Sequence, residues 1–293
     1  MNLLFIYNPR AGKAKIRSNL LDIIDIFTKA GFLVTAHPTQ SVGDATDVIE
    51  RLKASGYDLL VCSGGDGTLD EVVSGMMKFG IKVPLGYIPA GTTNDFARNL
   101  RISSNMKTAA KRICQRHTFA CDVGYFNETN FVYIAAFGLF TDVSYETDQE
   151  IKNLIGQTAY ILEGIKRLAD MKVNRVRVIT EGIDIEDDFI LGMVTNSISV
   201  GGFKHLTGKR VKLDDGLFEV TLIKKPKNPL EINNLITALI KRTYNSELMY
   251  SFKTEKIEFI TAEEIPWTLD GEFGGKHTLV TIRNIKQAIE IIC

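Results

Sequence analysis

Short apolar runs alternate with segments of helical period through the first part of the sequence. LLFIY (Leu3–Tyr7) reads as a buried strand, and in Ser18–Ala30 the residues Leu20, Ile23, Ile24 and Phe27 share one helical face. FLVTAH predicts a second strand, and Ala45, Val48, Ile49 and Leu52 mark the helix after it. DLLVCS is the third strand, Leu69–Lys78 a helix, VPLGYI the fourth strand and Asn105–Arg116 a closing helix. Strands joined by helices of this length predict right-handed βαβ crossovers and a mostly parallel sheet.

From Phe119 the pattern turns to period two. FACDVGYF, FVYIAAF, NRVRVITEG, FILGMVTNS, LFEVTLI, KIEFIT and TLVTIRN predict strands, interrupted by helices at Asp148–Met171 and Pro229–Lys241. Many short strands with turn signals between them predict a sandwich or barrel. The expected boundary lies near residue 121, which gives an α/β domain followed by an all-β domain at 122–285. A chain of 293 residues fits two domains better than one.

Composition adds exclusions. Apolar residues make up 45% and charged residues 24%, as in an ordinary globular protein. Thirty-five basic and 35 acidic residues cancel, so nucleic acid is not an expected partner. MNLLFIY has no cationic leader, and the longest apolar run, Phe131–Phe140, is about half of what a spanning helix needs. The expectation is a soluble cytoplasmic protein that can still touch a membrane face. Cys62, Cys114, Cys121 and Cys293 have neither metal-site nor disulfide-scaffold spacing, and His37, His117, His205 and His277 are scattered. A zinc site is not expected.

Three glycine loops follow strands one, three and four, the edge of an open parallel sheet where ligands bind. They are YNPRAGK (Tyr7–Lys13), SGGDGTLDE (Ser63–Glu71) and PAGTTNDFAR (Pro89–Arg98). Gly64, Gly65 and Gly67 allow close backbone approach, and Thr68 with Glu71 has capping-box spacing, predicting a helix start at Thr68. A glycine turn at a helix N-terminus suits an anion, although a plain βα turn with a good cap is an equal reading of the glycines alone. Asp66 tips the balance, because a carboxylate among such amides fits magnesium with a nucleotide. The pattern is neither a Walker A loop nor G-x-G-x-x-G. Thr92, Thr93, Asn94 and Asp95 crowd a helix start, with Arg98 one turn on. Lys13 and Lys15 offer charge, or are simply solvated.

Near the C-terminus, WTLDGEFGGK (Trp267–Lys276) sets Asp270 and Glu272 on either side of one glycine. Asp-Gly between apolar runs predicts a tight hairpin turn. The same turn would present two carboxylates for proton removal or magnesium binding, and the pattern does not divide those roles.

Taken in order, YNPRAGK, GGDGTLDEVVSG, IPAGTTNDFAR, DVG (Asp122–Gly124), KLDDGLFEV and LDGEFGG resemble the series in bacterial soluble diacylglycerol kinases, with VSYET and MKVNRVRV similar to the Gram-positive branch. GGDGT alone is shared with sphingosine kinases, NAD kinases and, more distantly, phosphofructokinases. The resemblance spans essentially the whole chain. It implies a NAD-kinase/phosphofructokinase-like α/β domain, a β-sandwich domain, ATP in the cleft between them, and a last strand (about 286–293) that returns to the first domain. It implies ATP contacts at Asn8, Pro9, Arg10, Ala11, Gly12, Thr39, Gly65, Asp66, Gly67, Thr68, Leu69, Asp70, Glu71 and Thr92. Asn94, Asp95, Arg98 and Asp122 would shape the phosphate and magnesium network, with Asp66 the first choice of metal ligand. Asp270 and Glu272 would supply the base. It also implies a structural magnesium ion held by the Lys212 and Leu217 carbonyls and the Asp215 carboxylate, where a plain Asp-Gly hairpin is the alternative. LTGKRV (Leu206–Val211) departs from relatives that carry proline and alanine there, which bears on lipid preference more than on chemistry.

The expected reaction is ATP-dependent, magnesium-assisted phosphorylation of diacylglycerol to phosphatidic acid, which needs positioning and charge neutralisation more than covalent help. FVYIAAFGLF and the ISVGGF loop either line an acyl groove or belong to the core, the core being the expectation for most of them. Lys204, Lys209, Arg210 and Lys212 are a candidate basic patch for a membrane surface or a solvated face. A homodimer is implied by resemblance alone. Rival readings are a kinase for another lipid of sphingoid or phosphatidylglycerol type, a kinase for NAD, and a non-catalytic nucleotide-binding regulator. PAGTTNDFAR and KLDDG weigh against the NAD reading, and intact Asp66, Asp270 and Glu272 against the last.

Overall fold

A computed structural model describes residues 1–138, 173–197, 199–200, 203–204, 211–241 and 247–293. The expected helix at Asp148–Met171, Lys209 and Arg210 of the candidate basic patch and most of LTGKRV lie outside them. The chain forms two compact units, Met1–Val132 with Leu213–Gly216 and Ile285–Cys293, and Tyr133–Lys212 with Leu217–Asn284.

The first unit opens with β1 (Asn2–Tyr7), α1 (Ile16–Lys29), β2 (Leu33–Pro38), α2 (Asp44–Leu52), β3 (Leu59–Gly64), α3 (Asp66–Phe79) and β4 (Leu85–Pro89). Two short helices, α4 (Asp95–Asn99) and α5 (Met106–Ile113), then lead into the hairpin of β5 (Thr118–Phe126) and β6 (Thr129–Phe131). Strands β2, β1, β3 and β4 pair in parallel in that order. Leu3–Ile6 of β1 and Leu59–Cys62 of β3 are apolar runs because both sheet faces are covered, as parallel sheets require. On one face Phe5, Phe27, Ile23, Ala109 and Ile113 pack in a single core with Leu59 and Ile292. α2 and α3 contact each other, with Gly75 leaving room for Ile49.

The second unit holds β7 (Ile134–Gly138), β8 (Asn174–Thr180), β9 (Ile183–Thr195), the short pair β10 (Ser199–Val200) and β11 (Phe203–Lys204), β12 (Phe218–Lys224), α6 (Pro229–Lys241), β13 (Met249–Thr254), β14 (Lys256–Leu269) and most of β15 (Glu272–Ile292). All pairing within it is antiparallel. β9 and β14 are long: one part of each pairs with β8 and another with β7, so two layers share strands. Phe137, Phe259 and Trp267 meet at centroid distances of 4.9 to 5.8 Å and fill the sandwich core. Residues 131–137 are buried. The expected return of the chain is present: Ile291 and Ile292 pair in parallel with Leu85 and Gly86.

The first unit runs past residue 121 to Val132, because the β5–β6 hairpin stays with it. Phe131 lies so close over Gly124 that a Cβ there would meet the ring at 2.2 Å. Asp122 also ties Leu213–Gly216 to this unit. Its amide donates to Leu213 O at 2.8 Å, and its Oδ2 accepts from the Gly216 amide at 2.7 Å.

Candidate active site

β1, β3 and β4 end at one edge, with Tyr7 opposite Ser63 and Gly64 opposite Pro89, so the three glycine loops emerge side by side. Backbone bonds join them: Asn8 N to Ser63 O at 2.8 Å and Ala90 N to Gly64 O at 2.8 Å. Thr39 N donates to Tyr7 O at 2.9 Å and brings that residue to the same edge. Two glycines make the approach possible. A Cβ on Gly91 would sit 2.6 Å from the Gly65 Cα, and one on Gly12, whose φ is +54°, would sit 2.4 Å from Ala90 O.

Side chains lock the crossing. Asn8 Nδ2 lies 3.4 Å from Thr68 Oγ1, and its Oδ1 accepts from the Arg10 amide at 2.9 Å. Asn94, at φ 50°, accepts from Gly91 N at 2.9 Å and donates to Gly91 O at 2.7 Å. Below them the Tyr87 hydroxyl donates to Gly64 O at 3.1 Å and lies 3.4 Å from Asn94 Oδ1. Sequence reading missed Tyr87; its one signal was a lone hydroxyl in an otherwise apolar strand.

The expected capping box at Thr68 and Glu71 is absent. α3 begins two residues earlier, at Asp66, with Gly65 as its N-cap, and Thr68 is buried beneath Gly64. Glu71 instead accepts from Ala45 N at 3.3 Å, while Thr46 Oγ1 donates to Glu71 O at 2.8 Å, so it ties α3 to α2. Leu69 is 1% exposed and faces the core.

Asp66 caps the neighbouring helix. Its Oδ2 accepts from the Asp95 amide at 3.1 Å and its Oδ1 from Phe96 at 3.4 Å, across the two loops. Burial pushes its carboxyl up to about 6; the Asp95 charge adds to this, while the two amides and Arg98 pull the other way. Burial and the Asp66 charge together raise the Tyr87 phenol well above its ordinary value.

Beside this crossing lies a groove of about 410 Å³, lined by Gly12, Lys13, Lys15, Gly91, Thr92, Asn94 and Arg98 among others. Exposed ammonium and guanidinium groups over a glycine crossing fit the phosphates of a nucleotide. No group of three or more His, Cys, Asp or Glu that could hold a metal occurs among the described residues. Asp66 offers one hard carboxylate at this edge, the kind of ligand magnesium takes when water and phosphate oxygens complete its shell.

Asp122 is fully buried, its Oδ1 accepting from Gln287 N at 2.7 Å and its Oδ2 from Gly216 N. It gathers three chain segments. In the second unit, Asp270 at φ 49° and Gly271 at φ 93° make the two-residue turn between Leu269 and Glu272. Asp270 is 6% exposed, and its Oδ1 accepts from the amides of Tyr133 and Ile134, both at 2.9 Å. The Tyr133 hydroxyl, a partner that the sequence did not point to, donates to Asp270 O at 3.1 Å. Glu272 is exposed. Asp215 lies in the turn that Asp122 holds, between Lys212 and Leu217.

The crossed-glycine edge belongs to an α/β unit, and the chain continues into a β sandwich. Comparison with known proteins shows the family. Residues 2–126 match the family described as "Diacylglycerol kinase catalytic domain", and residues 135–293 match "YegS C-terminal NAD kinase beta sandwich-like domain". A diacylglycerol kinase of Staphylococcus epidermidis is 36% identical over 288 residues, 98% of this chain and 90% of that protein. One from Staphylococcus carnosus is 33% identical, covering 98% and 93%. The crystal structure of a diacylglycerol kinase from Bacillus anthracis superposes with a TM-score of 0.82 at 30% identity, covering 99% of this chain and 96% of that one. The chain belongs to the diacylglycerol kinase family and is an enzyme, a kinase.

Proposed function

We propose that this kinase transfers the γ-phosphate of ATP to the free hydroxyl of diacylglycerol, giving phosphatidic acid, and works as a peripheral protein at a membrane surface. The observation that carries the reading is the Gly65–Gly91 crossing beside a groove with Lys13, Lys15 and Arg98, a bed of amides and cations for a polyphosphate. The acceptor class comes from the names of the Staphylococcus relatives.

In this reading, residues Asn8 to Gly12, Thr39, Gly65 to Glu71 and Thr92 hold the nucleotide, with Asn94 and Asp95 shaping the loop around it. Arg98 and the two lysines neutralise the phosphates. Asp66 is the protein's ligand to magnesium, which when bound offsets the charge that builds on the β- and γ-phosphates. Glu272 takes the proton from the attacking hydroxyl. Its carboxylate is exposed, whereas Asp270 Oδ1 serves two amides, so Asp270 is the positioning residue of the turn. The Lys212 and Leu217 carbonyls and the Asp215 carboxylate hold a second, structural magnesium, in a turn that Asp122 steadies through Gly216.

The test is labelled ATP offered with diacylglycerol, a sphingoid base, ceramide, phosphatidylglycerol and NAD, followed by chromatography. Label in phosphatidic acid is the expected result. Label on NAD alone, or on none of the acceptors, overturns the reading.

A further inference from the structure

The loop from β2 to α2, residues 39–43, lies at the same strand ends as the glycine loops. Its first residue is pinned by the Thr39 amide, which donates to Tyr7 O and so sits beside Asn8, whose side chain meets Thr68. The rest of the loop is held by Asp44. α2 starts after Gly43, at φ +86°, without a side-chain cap. An aspartate at a helix start ordinarily serves the amides and dipole of its own helix. The Asp44 carboxylate turns the other way. Its Oδ2 accepts from the Gln40 amide at 2.8 Å and lies 3.0 Å from His37 Nε2, both on the strand side of the loop. The Asp44 amide donates to Ser41 O at 3.4 Å, and the Gln40 side chain donates to Pro38 O at 2.8 Å. Arg51 Nη2 lies 3.5 Å from Asp44 Oδ1, but that side chain is 62% exposed and the pair adds little. Burial pushes the Asp44 carboxyl up, while His37, the Gln40 amide and Arg51 together hold it below its ordinary value, so it is ionised at neutral pH.

The same helix start is braced from the other side. Glu71 accepts from the Ala45 amide, and Thr46 Oγ1 donates to Glu71 O. Glu71 belongs to α3, whose first turn carries Asp66 and Thr68. One run of bonds therefore leads from the GGDGT turn through Glu71, Ala45 and Asp44 to Gln40. Removing the Asp44 carboxylate frees the Gln40 amide and leaves the backbone bonds of α2 in place.

We propose that Asp44 is a positioning residue of the nucleotide site: its carboxylate holds residues 39–43 in the shape that meets the nucleotide, without touching the nucleotide itself. The proposal rests on the nucleotide reading of this edge given above and adds to it a residue from outside the glycine loops.

Calorimetric titration with a non-hydrolysable ATP analogue and magnesium, well below the lowest melting temperature of the set, tests this without any lipid. Asp44→Ala weakens binding about tenfold, the weight of one hydrogen bond to a charged group. Asp44→Asn, which keeps an acceptor for the Gln40 amide, binds within about twofold of wild type, and so does Arg51→Ala, which removes only the exposed pair. In steady-state assays Asp44→Ala raises the KM for ATP and leaves kcat and the KM for the acceptor unchanged. A merely structural Asp44 would lower the melting temperature and leave nucleotide affinity alone, and that result overturns the proposal. Equal losses in Asp44→Ala and Asp44→Asn overturn it too, because the acceptor oxygen is then not what matters. If the wild-type protein does not bind the analogue, the nucleotide reading itself fails and the proposal falls with it.

Discussion

Gly91 crosses Gly65 so closely that a single methyl group on Gly91 would stand 2.6 Å from the Gly65 Cα. The nearest neighbour is backbone, and the next, Asn94 Oδ1 at 2.8 Å, is tied to Gly91 N, so moving that side chain aside does not relieve the clash. Gly91→Ala therefore has to push two loops apart. The expected cost is about 1–3 kcal/mol of stability, as for overpacking elsewhere, and a loss of ATP binding of at least about tenfold. Thermal melts and calorimetric titration with a non-hydrolysable ATP analogue read both. A Gly91→Ala protein that binds the analogue as wild type does would show that the crossing is no part of the nucleotide bed.

Asp66 makes nucleotide affinity depend on pH. Its carboxyl titrates near 6, chiefly because it is buried. Only the ionised form both accepts the Asp95 and Phe96 amides and serves a cation. Between pH 6.5 and 5 the ionised fraction falls roughly eightfold, and the KM for magnesium–ATP rises by about the same factor. Stability moves the other way. Because the folded value lies above the ordinary one, the contribution of Asp66 to folding is complete below about pH 4 and is lost as pH rises through about 6. Asp66→Asn should flatten both profiles. A KM that is flat across this range in the wild type removes Asp66 from the cation's surroundings.

The turn at Asp270 separates holding from chemistry. Glu272→Gln keeps ATP binding and lowers kcat by about 10²–10⁴-fold, the usual weight of a general base. Asp270→Ala orphans the buried amides of Tyr133 and Ile134 and loses about 1–3 kcal/mol of stability. Asp270→Asn keeps an acceptor oxygen and a residue that tolerates φ near +50°, so it melts close to wild type. Melts and single-turnover kinetics on the three variants decide; more than about a tenth of wild-type kcat in Glu272→Gln excludes it as the base.

What the sequence shows and what it conceals divide along a physical line. Apolar runs such as Leu3–Tyr7 and the Asp270–Gly271 pair speak through local period and local turn chemistry, and both stand in the structure where the pattern puts them. Pro229–Lys241 is helical over its whole expected length. Thr68 and Glu71 mislead because their spacing mimics a local cap while their partners, Asn8 and Ala45, come from other elements. Asp122 is of the same kind. Its oxygens meet Gly216 and Gln287, contacts that no periodicity along the chain encodes. Glycine positions announce that loops can approach, but not which loops; that Gly65 meets Gly91 follows only from the parallel order of β1, β3 and β4.

The turn at Leu213–Gly216 offers a test by metal removal. Asp122 binds its Gly216 amide, and Gly216 sits at φ +84°, so the turn is shaped before any ion arrives. With Asp215 and the carbonyls of Lys212 and Leu217 as hard oxygen ligands, bound magnesium stabilises the fold by mass action, about 2.7 kcal/mol at a hundred times the dissociation constant. Chelation should therefore lower the melting temperature of the wild-type protein, and restored magnesium should raise it again. Asp215→Ala should melt at the chelated temperature whether or not magnesium is present. Potassium added in place of magnesium should not restore the difference, since charge and ligand geometry both change. A wild-type melting temperature indifferent to chelator and magnesium alike leaves the segment a plain Asp-Gly turn, held by Asp122 alone.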